Sequence, residues 1–117
     1  MGQLTTHVLD TVQGKPGAGM RVELSRLSNC HRTIVKAFET NANGRFDQPL
    51  LQGEEFVSGE YELVFEVADY FRRAGIALAS PPFLDLVVIR FGVADAAEHY
   101  HVPLLVSPWS YSTYRGS

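Results

Sequence analysis

The stretch that decides the fold is residues 99–117, which read HYHVPLLVSPWSYSTYRGS. It opens with two histidines at alternate positions, His99 and His101, continues through an apolar segment typical of a β-strand, and turns at Ser107-Pro108. Small polar residues then alternate with tyrosines. Chain ends are usually the least ordered part of a domain, but a disordered end has no need for so many aromatic rings. We therefore expect residues 99–117 to be packed and to line part of a functional site.

The composition is that of one ordinary folded domain. A chain of 117 residues with 45% hydrophobic and 20% charged residues has the size and balance of a single globular domain, which we predict to span residues 1–117. The net charge of −3 gives no basic excess, so we expect no nucleic-acid partner. No apolar run approaches the roughly 20 residues that a membrane helix needs, so we expect no membrane partner.

The N-terminal residues and the single cysteine predict a cytoplasmic protein. Residues 1–7 lack the charged start and apolar run of a signal peptide. Cys30 is the only cysteine, so no disulfide can form within the chain, which fits a reducing compartment. Ser28, Asn29 and Arg32 around it are typical of a turn, and we interpret Cys30 as an incidental thiol rather than a nucleophile.

The rest of the chain reads as short β-strands separated by turns rich in glycine and proline. Residues 69–75 break the alternation and predict one short helix, with Asp69 as its N-cap and Gly75 at its end. Strands at this spacing predict an all-β fold, an antiparallel β-sandwich of seven to eight strands. The predicted strands cover residues 4–12, 20–27, 33–40, 59–68, 83–91, 99–106 and 110–114, and a short strand begins after Gly44.

Strand alternation sorts the candidate functional residues by face. His99 and His101 are two apart and share a face, while Val102, Leu104 and Val106 are candidates for the core. Arg45 directly follows Asn43-Gly44, a strong hairpin signal, so we expect it to be held at the start of a short strand. In the first strand, the two faces are Leu4, Thr6, Val8 and Asp10 on one side and Thr5, His7, Leu9 and Thr11 on the other.

Three of the four histidines lie on predicted strands, namely His7, His99 and His101, whereas His31 lies in a polar turn. They are open to several interpretations: polar residues on a solvated face, a three-histidine zinc site, or a general base whose pKa is close to neutral. No carboxylate has a spacing that supports zinc, and no GxSxG motif supports a hydrolase triad. In the cofactor-free interpretation, Arg45 binds a planar, carbonyl-rich substrate. Spacing alone does not bring these side chains together.

Four motifs together resemble a known family: LTTHVLD at residues 4–10, GRF at 44–46, HVPLL at 101–105, and a Ser-Pro turn at 107–108 that leads to YRGS at 114–117. They look like those of the 5-hydroxyisourate hydrolases, the enzyme branch of the transthyretin family. The resemblance covers the whole chain, and the YRGS ending is specific to the enzyme branch. It implies a transthyretin-like two-sheet β-sandwich with one short helix, assembled as a homotetramer with its sites at a subunit interface.

The resemblance also implies a reaction. The expected activity is metal-independent hydrolysis of the cyclic amide 5-hydroxyisourate to 2-oxo-4-hydroxy-4-carboxy-5-ureidoimidazoline in urate degradation, with no cofactor. The implied catalytic residues are His7 and His101, which activate and orient water, Arg45, which binds substrate oxygens and stabilises developing charge, and Ser117. The implied substrate-binding residues are His7, Arg45 and Tyr114, while His99 and Arg115 are at most supporting residues.

The alternative is the thyroid-hormone carrier branch of the same family, which binds a small ligand without catalysis. The carriers share the sandwich and a similar Ser-Pro turn. They lack the YRGS ending, and they have lysine and glutamate where this chain has His7 and Arg45. The resemblance therefore favours the enzyme branch.

Overall fold

The computed structural model describes residues 2–117, so Met1 of the predicted domain lies outside the described residues. Between residues 2 and 117 the chain forms eleven short strands, one α-helix and one 3-10 turn. The elements are β1 Gln3–Thr5, β2 Val8–Asp10, β3 Lys15–Pro16, β4 Arg21–Ser28, β5 His31–Glu39, β6 Leu51–Gln52, the 3-10 turn Gly53–Glu55, β7 Gly59–Glu66, α1 Val67–Arg73, β8 Leu86–Val93, β9 His99–His101, β10 Leu104–Val106 and β11 Tyr111–Ser112.

One layer is an antiparallel sheet in the order β5-β4-β7-β8. β8 alternates between buried and exposed residues, and β7 buries Tyr61, Leu63 and Phe65 as the sequence predicts. However, β7 also buries Glu62, and no residue of the edge strand β5 is fully buried.

The β4–β5 hairpin closes through Asn29 and Cys30, whose φ angles are +50° and +66°, as expected of the two central residues of a tight hairpin turn. Cys30 is exposed in this turn as predicted, but His31 and Arg32, which the sequence pattern assigned to the turn, already belong to β5 because they pair with β4.

The other layer is built from two chain segments, and each segment is divided into two short strands. β1 continues into β2, and β9 into β10, and the segments pair in parallel within the sheets β6-β1-β9 and β11-β10-β2-β3. Val102 N donates to Thr5 O (2.9 Å), but the Val102 carbonyl accepts from Thr6 Oγ1 (2.6 Å) rather than from a backbone N–H, which interrupts the ladder. The predicted strands 4–12 and 99–106 therefore become four, and these sheets are mixed rather than purely antiparallel.

Both layers contribute to one hydrophobic core, which confirms the all-β sandwich. Val102, Leu104 and Val106 are buried as predicted. The largest fully buried side chains include Leu4, Val8 and Leu104 from the mixed layer and Leu24, Tyr61, Leu63 and Phe65 from the antiparallel layer.

The single short helix is confirmed, but its start differs from the prediction. α1 begins at Val67 with Glu66 at the N-cap, so Asp69 lies in the first turn and pairs with Arg73 Nη2 at 3.0 Å instead of capping. The helix starts earlier because Val67 and Ala68 continue the buried face of β7. Gly75, with φ of +85°, follows its C-terminus as predicted. Nowhere in residues 2–117 is there a helix with the length and apolar character of a membrane crossing.

The turn at residues 41–44 carries Arg45 to the mixed layer. Asn41 Oδ1 accepts hydrogen bonds from the backbone N of Asn43 and of Arg45, and Val8 N donates to Gly44 O at 2.9 Å. Gly44 has φ of +73°, and a Cβ there would lie 2.5 Å from the Val8 carbonyl oxygen. Only glycine satisfies both conditions. The Asn-Gly signal thus marks a turn that leads to an isolated bridge between Arg45 and His7.

We predict that Gly44→Ala lowers the free energy of unfolding more than Gly14→Ala does. Gly14 also has a positive φ, +65°, but an added Cβ there meets nothing within 4 Å. Gly14→Ala should therefore cost only the backbone strain of about 1–3 kcal/mol, whereas Gly44→Ala adds a collision with the Val8 backbone. Urea unfolding at one fixed protein concentration measures both, and equal losses would contradict the close approach.

Candidate functional site

Two imidazole rings from distant parts of the chain are in direct contact. His7 lies between β1 and β2, and His101 ends β9, which pairs with β1. His7 Nδ1 lies 2.7 Å from His101 Nε2, and the ring centroids are 4.8 Å apart. Both side chains are half-buried on the outer face of the mixed layer. The parallel pairing thus brings together the two histidines that the sequence selects.

Thr5 extends this contact, although it is not among the site residues predicted from the sequence. Thr5 is the register partner of His101, and its Oγ1 lies 2.7 Å from His101 Nδ1. Both nitrogens of His101 are therefore hydrogen-bonded. The strand alternation in the sequence already places Thr5 on the same face as His7. The pairing of β1 with β9 was also needed to identify His101 as the hydrogen-bond partner of Thr5.

Arg45 joins the histidines through its backbone. It forms an isolated antiparallel bridge with His7, and its side chain is exposed. A cavity of about 250 Å³ lies beside it, and its lining includes Thr5, Arg45 and Gln48. His7 and Arg45 are thus neighbours through their backbones, and His101 contacts the His7 ring.

The C-terminal residues reach the same place. Gly116 exchanges two backbone hydrogen bonds with His101, Gly116 N to His101 O at 2.7 Å and His101 N to Gly116 O at 3.1 Å. A Cβ at Gly116 would lie 3.2 Å from His101 Cβ and 3.5 Å from Tyr114 Cε2, so Gly116 separates these two side chains. Tyr114 is 57% exposed, and Ser117 follows the bridge directly.

Arg115 points away from the histidine pair and fastens the tail. Its Nη2 lies 3.1 Å from Glu98 Oε1 and 3.1 Å from the His99 carbonyl oxygen, and its guanidinium stacks 4.2 Å from the centroid of the Tyr100 ring. The structure therefore places Arg115 outside the group of His7, Arg45 and His101.

The environment keeps both histidines neutral near pH 7. Burial, then the charges of His7 and Arg45, lower the pKa of His101 to about 4. Burial, then the Arg45 charge, also lower the pKa of His7 below its usual 6.5. Each ring then carries one N–H and one lone pair. Because His7 Nδ1 is hydrogen-bonded to His101, His7 can act as a base only in the tautomer that leaves the lone pair on Nε2.

The other histidines are separate from this pair. His31 lies at the start of β5, beyond the exposed turn of the antiparallel layer, and His99 is exposed at the start of β9. Within residues 2–117, no group of three or more His, Cys, Asp or Glu side chains is arranged to hold a metal ion. The three-histidine set considered from the sequence is therefore not assembled in this structure.

Comparisons with known proteins identify the family of this chain. The profile of the HIUase/Transthyretin family matches residues 4–116. A protein named 5-hydroxyisourate hydrolase from Ralstonia nicotianae is 59% identical over 117 residues, covering 100% of both chains.

Two solved structures extend the comparison. A crystal structure of (S)-allantoin synthase matches with a TM-score of 0.94 and 50% identity, covering 99% of this chain but only 44% of that one. Sea bream transthyretin in complex with thyroxine matches with a TM-score of 0.86 and 26% identity, covering 97% of this chain and 94% of that one. The transthyretin-like sandwich is thus confirmed, and the chain belongs to the HIUase/Transthyretin family.

Proposed function

We propose that the chain hydrolyses 5-hydroxyisourate to 2-oxo-4-hydroxy-4-carboxy-5-ureidoimidazoline, a step of urate degradation. The observation that carries the proposal is the 2.7 Å contact between His7 and His101 beside Arg45. The relative named 5-hydroxyisourate hydrolase, at 59% identity over the full length, supports the choice of substrate.

His7 is the base in this proposal. Its free Nε2 accepts a proton from water as the water oxygen attacks a ring carbonyl carbon of the substrate. His7 is suited to this because its lowered pKa leaves the lone pair available at neutral pH. His101, hydrogen-bonded to His7 Nδ1, orients the ring and shares the proton that His7 takes up.

Arg45 stabilises the charge that develops on the attacked carbonyl oxygen. Its guanidinium is permanently charged and can hold two oxygens of a planar substrate at once. Collapse of the tetrahedral intermediate breaks the ring C–N bond, and the leaving nitrogen takes the proton that came from water. The product is a ring-opened acid that ionises to the carboxylate.

The tail completes the pocket. Tyr114, across Gly116 from His101, contacts the substrate and closes one side, and Ser117 positions the substrate with its hydroxyl. A carrier of the same fold needs a ligand channel but no base, so the hydrogen-bonded pair of neutral histidines favours the hydrolase over the carrier.

The proposal includes one domain, an assembly and a location. A family match over residues 4–116 and one core support a single domain. A homotetramer with its sites at a subunit interface is supported by the open sheet face around His7 and by β8 and β11, which lie at the ends of their sheets. A cytoplasmic location fits the exposed free thiol of Cys30.

We predict that His7→Asn and His101→Asn each lower kcat/KM by about 10²–10⁴-fold, the usual contribution of a general base. The assay follows the ultraviolet decay of freshly generated 5-hydroxyisourate and subtracts the spontaneous rate. His99→Asn is the matched control, because its side chain lies on the same strand but outside the pair.

An unmodified protein that does not exceed the spontaneous decay would refute the hydrolase. If His99→Asn and His101→Asn lose the same activity, the assignment of the pair is wrong while the reaction stands. Removal of metal ions with a chelator should leave the rate unchanged, and a rate restored only by added zinc would contradict the metal-free chemistry.

The pH dependence should follow the lowered pKa values. A protonated histidine accepts no proton, so kcat/KM should persist as the pH falls below 6.5 and be lost only as it falls through the lowered values. Arg45→Gln should raise both histidine pKa values, since it removes a nearby positive charge. NMR titration of the imidazole protons measures this without substrate, with Arg21→Gln on the antiparallel sheet as a charge-matched control. Unchanged midpoints in Arg45→Gln would contradict the proposed field of Arg45.

The hydroxyl of Ser117 should matter more than other hydroxyls of the tail. Ser117→Ala should lower kcat/KM by about tenfold or more, the effect of losing one hydrogen bond of about 1.5–3 kcal/mol to a charged group. Thr113→Ala, which removes an exposed hydroxyl from the same tail, should leave kcat/KM nearly unchanged. Equal kcat/KM values for the two variants would exclude Ser117 from the site.

A further inference from the structure

Thr5 is the third member of a hydrogen-bonded chain that runs Thr5 Oγ1, His101 Nδ1, His101 Nε2, His7 Nδ1, with both links at 2.7 Å. The backbone fixes the first link, because Thr5 and His101 are register partners in β1 and β9. Thr6, the next residue, is bonded elsewhere, since its buried hydroxyl donates to the Val102 carbonyl. The Thr5 hydroxyl is therefore the one aimed at the imidazole pair.

Neutral imidazoles allow two arrangements of this chain. In the first, His101 Nδ1–H donates to Thr5 Oγ1, His7 Nδ1–H donates to His101 Nε2, and His7 Nε2 carries a lone pair. In the second, every bond is reversed, and His7 Nε2 carries a proton and cannot act as a base. A hydroxyl permits either one, since it can donate or accept.

The proposed base role of His7 selects between the arrangements. Only the first leaves a lone pair on His7 Nε2, the nitrogen that takes the proton from water. In that arrangement His101 Nδ1 carries a proton, and Thr5 Oγ1 is the group 2.7 Å away that can accept its hydrogen bond.

We propose that Thr5 is a positioning residue, which accepts a hydrogen bond from His101 Nδ1–H and so holds the pair in the tautomer whose lone pair lies on His7 Nε2. The inference rests on the proposed hydrolysis for its catalytic meaning, but the tautomer itself does not depend on a substrate. A third group that orients a base in this way is common in sites where a histidine takes a proton.

The proton transfers balance along the chain. A proton leaves water for His7 Nε2 as the bond from the water oxygen to the substrate carbon forms, and the Nδ1 proton of His7 moves to His101 Nε2. His101 is then an imidazolium whose Nδ1–H still donates to Thr5. When the ring C–N bond breaks, the His7 Nε2 proton passes to the leaving nitrogen, and the proton held by His101 returns to His7 Nδ1.

The test compares Thr5→Val, which keeps the shape and removes the hydroxyl, with Thr5→Ser, which keeps the hydroxyl. Long-range ¹H–¹⁵N NMR correlations of the imidazole rings identify each tautomer without substrate. We expect Nδ1–H on both His7 and His101 in the unmodified protein and in Thr5→Ser. In Thr5→Val we expect His101 to shift toward Nε2–H, with kcat about 10–100-fold lower and KM little changed.

Several results would overturn the inference. An Nε2–H tautomer of His101 in the unmodified protein would do so even if Thr5→Val failed to fold. So would a Thr5→Val protein with unchanged tautomers and kcat, or a Thr5→Ser protein as slow as Thr5→Val, which would assign the effect to packing of the methyl group. If the unmodified protein shows the expected tautomers but no hydrolysis, the proposed function fails while the role of Thr5 in setting the tautomer is upheld.

Discussion

The parallel pairing of two broken strand segments, β1–β2 with β9–β10, is the constraint on which the rest of the structure depends. It joins residues that are almost a hundred positions apart, and it brings His7 and His101 together. The ladder is interrupted where Thr6 takes the Val102 carbonyl, and the histidine pair lies at this interruption. The side chains on the inner face of the same segments are buried in the core. The site is therefore on the outer face of these paired segments, and strands hold side chains more precisely than loops do.

The same segment also determines how the tail approaches. On one edge, the backbone of His101 pairs with Gly116, while Leu105 and Val106 pair with β11. Pro103 lies between these paired residues. Because alternate residues of a strand bond to the same side, its backbone nitrogen faces the same edge, and a proline nitrogen carries no hydrogen to donate. The tail is thus paired at both ends and unpaired between, where Tyr114 lies. Arg115, fastened to Glu98 and Tyr100, holds the far end in place.

The sequence pattern predicted the features that depend on neighbouring residues of the chain. It did not predict the features that depend on contacts between distant segments. Alternation sorted His7 and Thr5 onto one face, and the Asn-Gly signal located the turn before Arg45. Neither revealed that β1 pairs with β9 in parallel, because no periodicity encodes the partner of a strand or its direction. Thr5 was missed for that reason alone. The helix start was misplaced because Asp69 has the chemistry of a cap, while the buried Val67 and Ala68 decided the outcome.

Two opposing demands act on the histidine pair, and together they explain why a pair is more useful than one ring. Burial and Arg45 lower the pKa of each histidine, which keeps a lone pair available but weakens it as a base. A single imidazole beside this positive charge would hold an added proton only weakly, because its pKa is lowered. A second ring at 2.7 Å lets the two imidazoles share the proton through one hydrogen bond. An acceptor on the far nitrogen then stabilises the cation that results, and Thr5 is the group in that position.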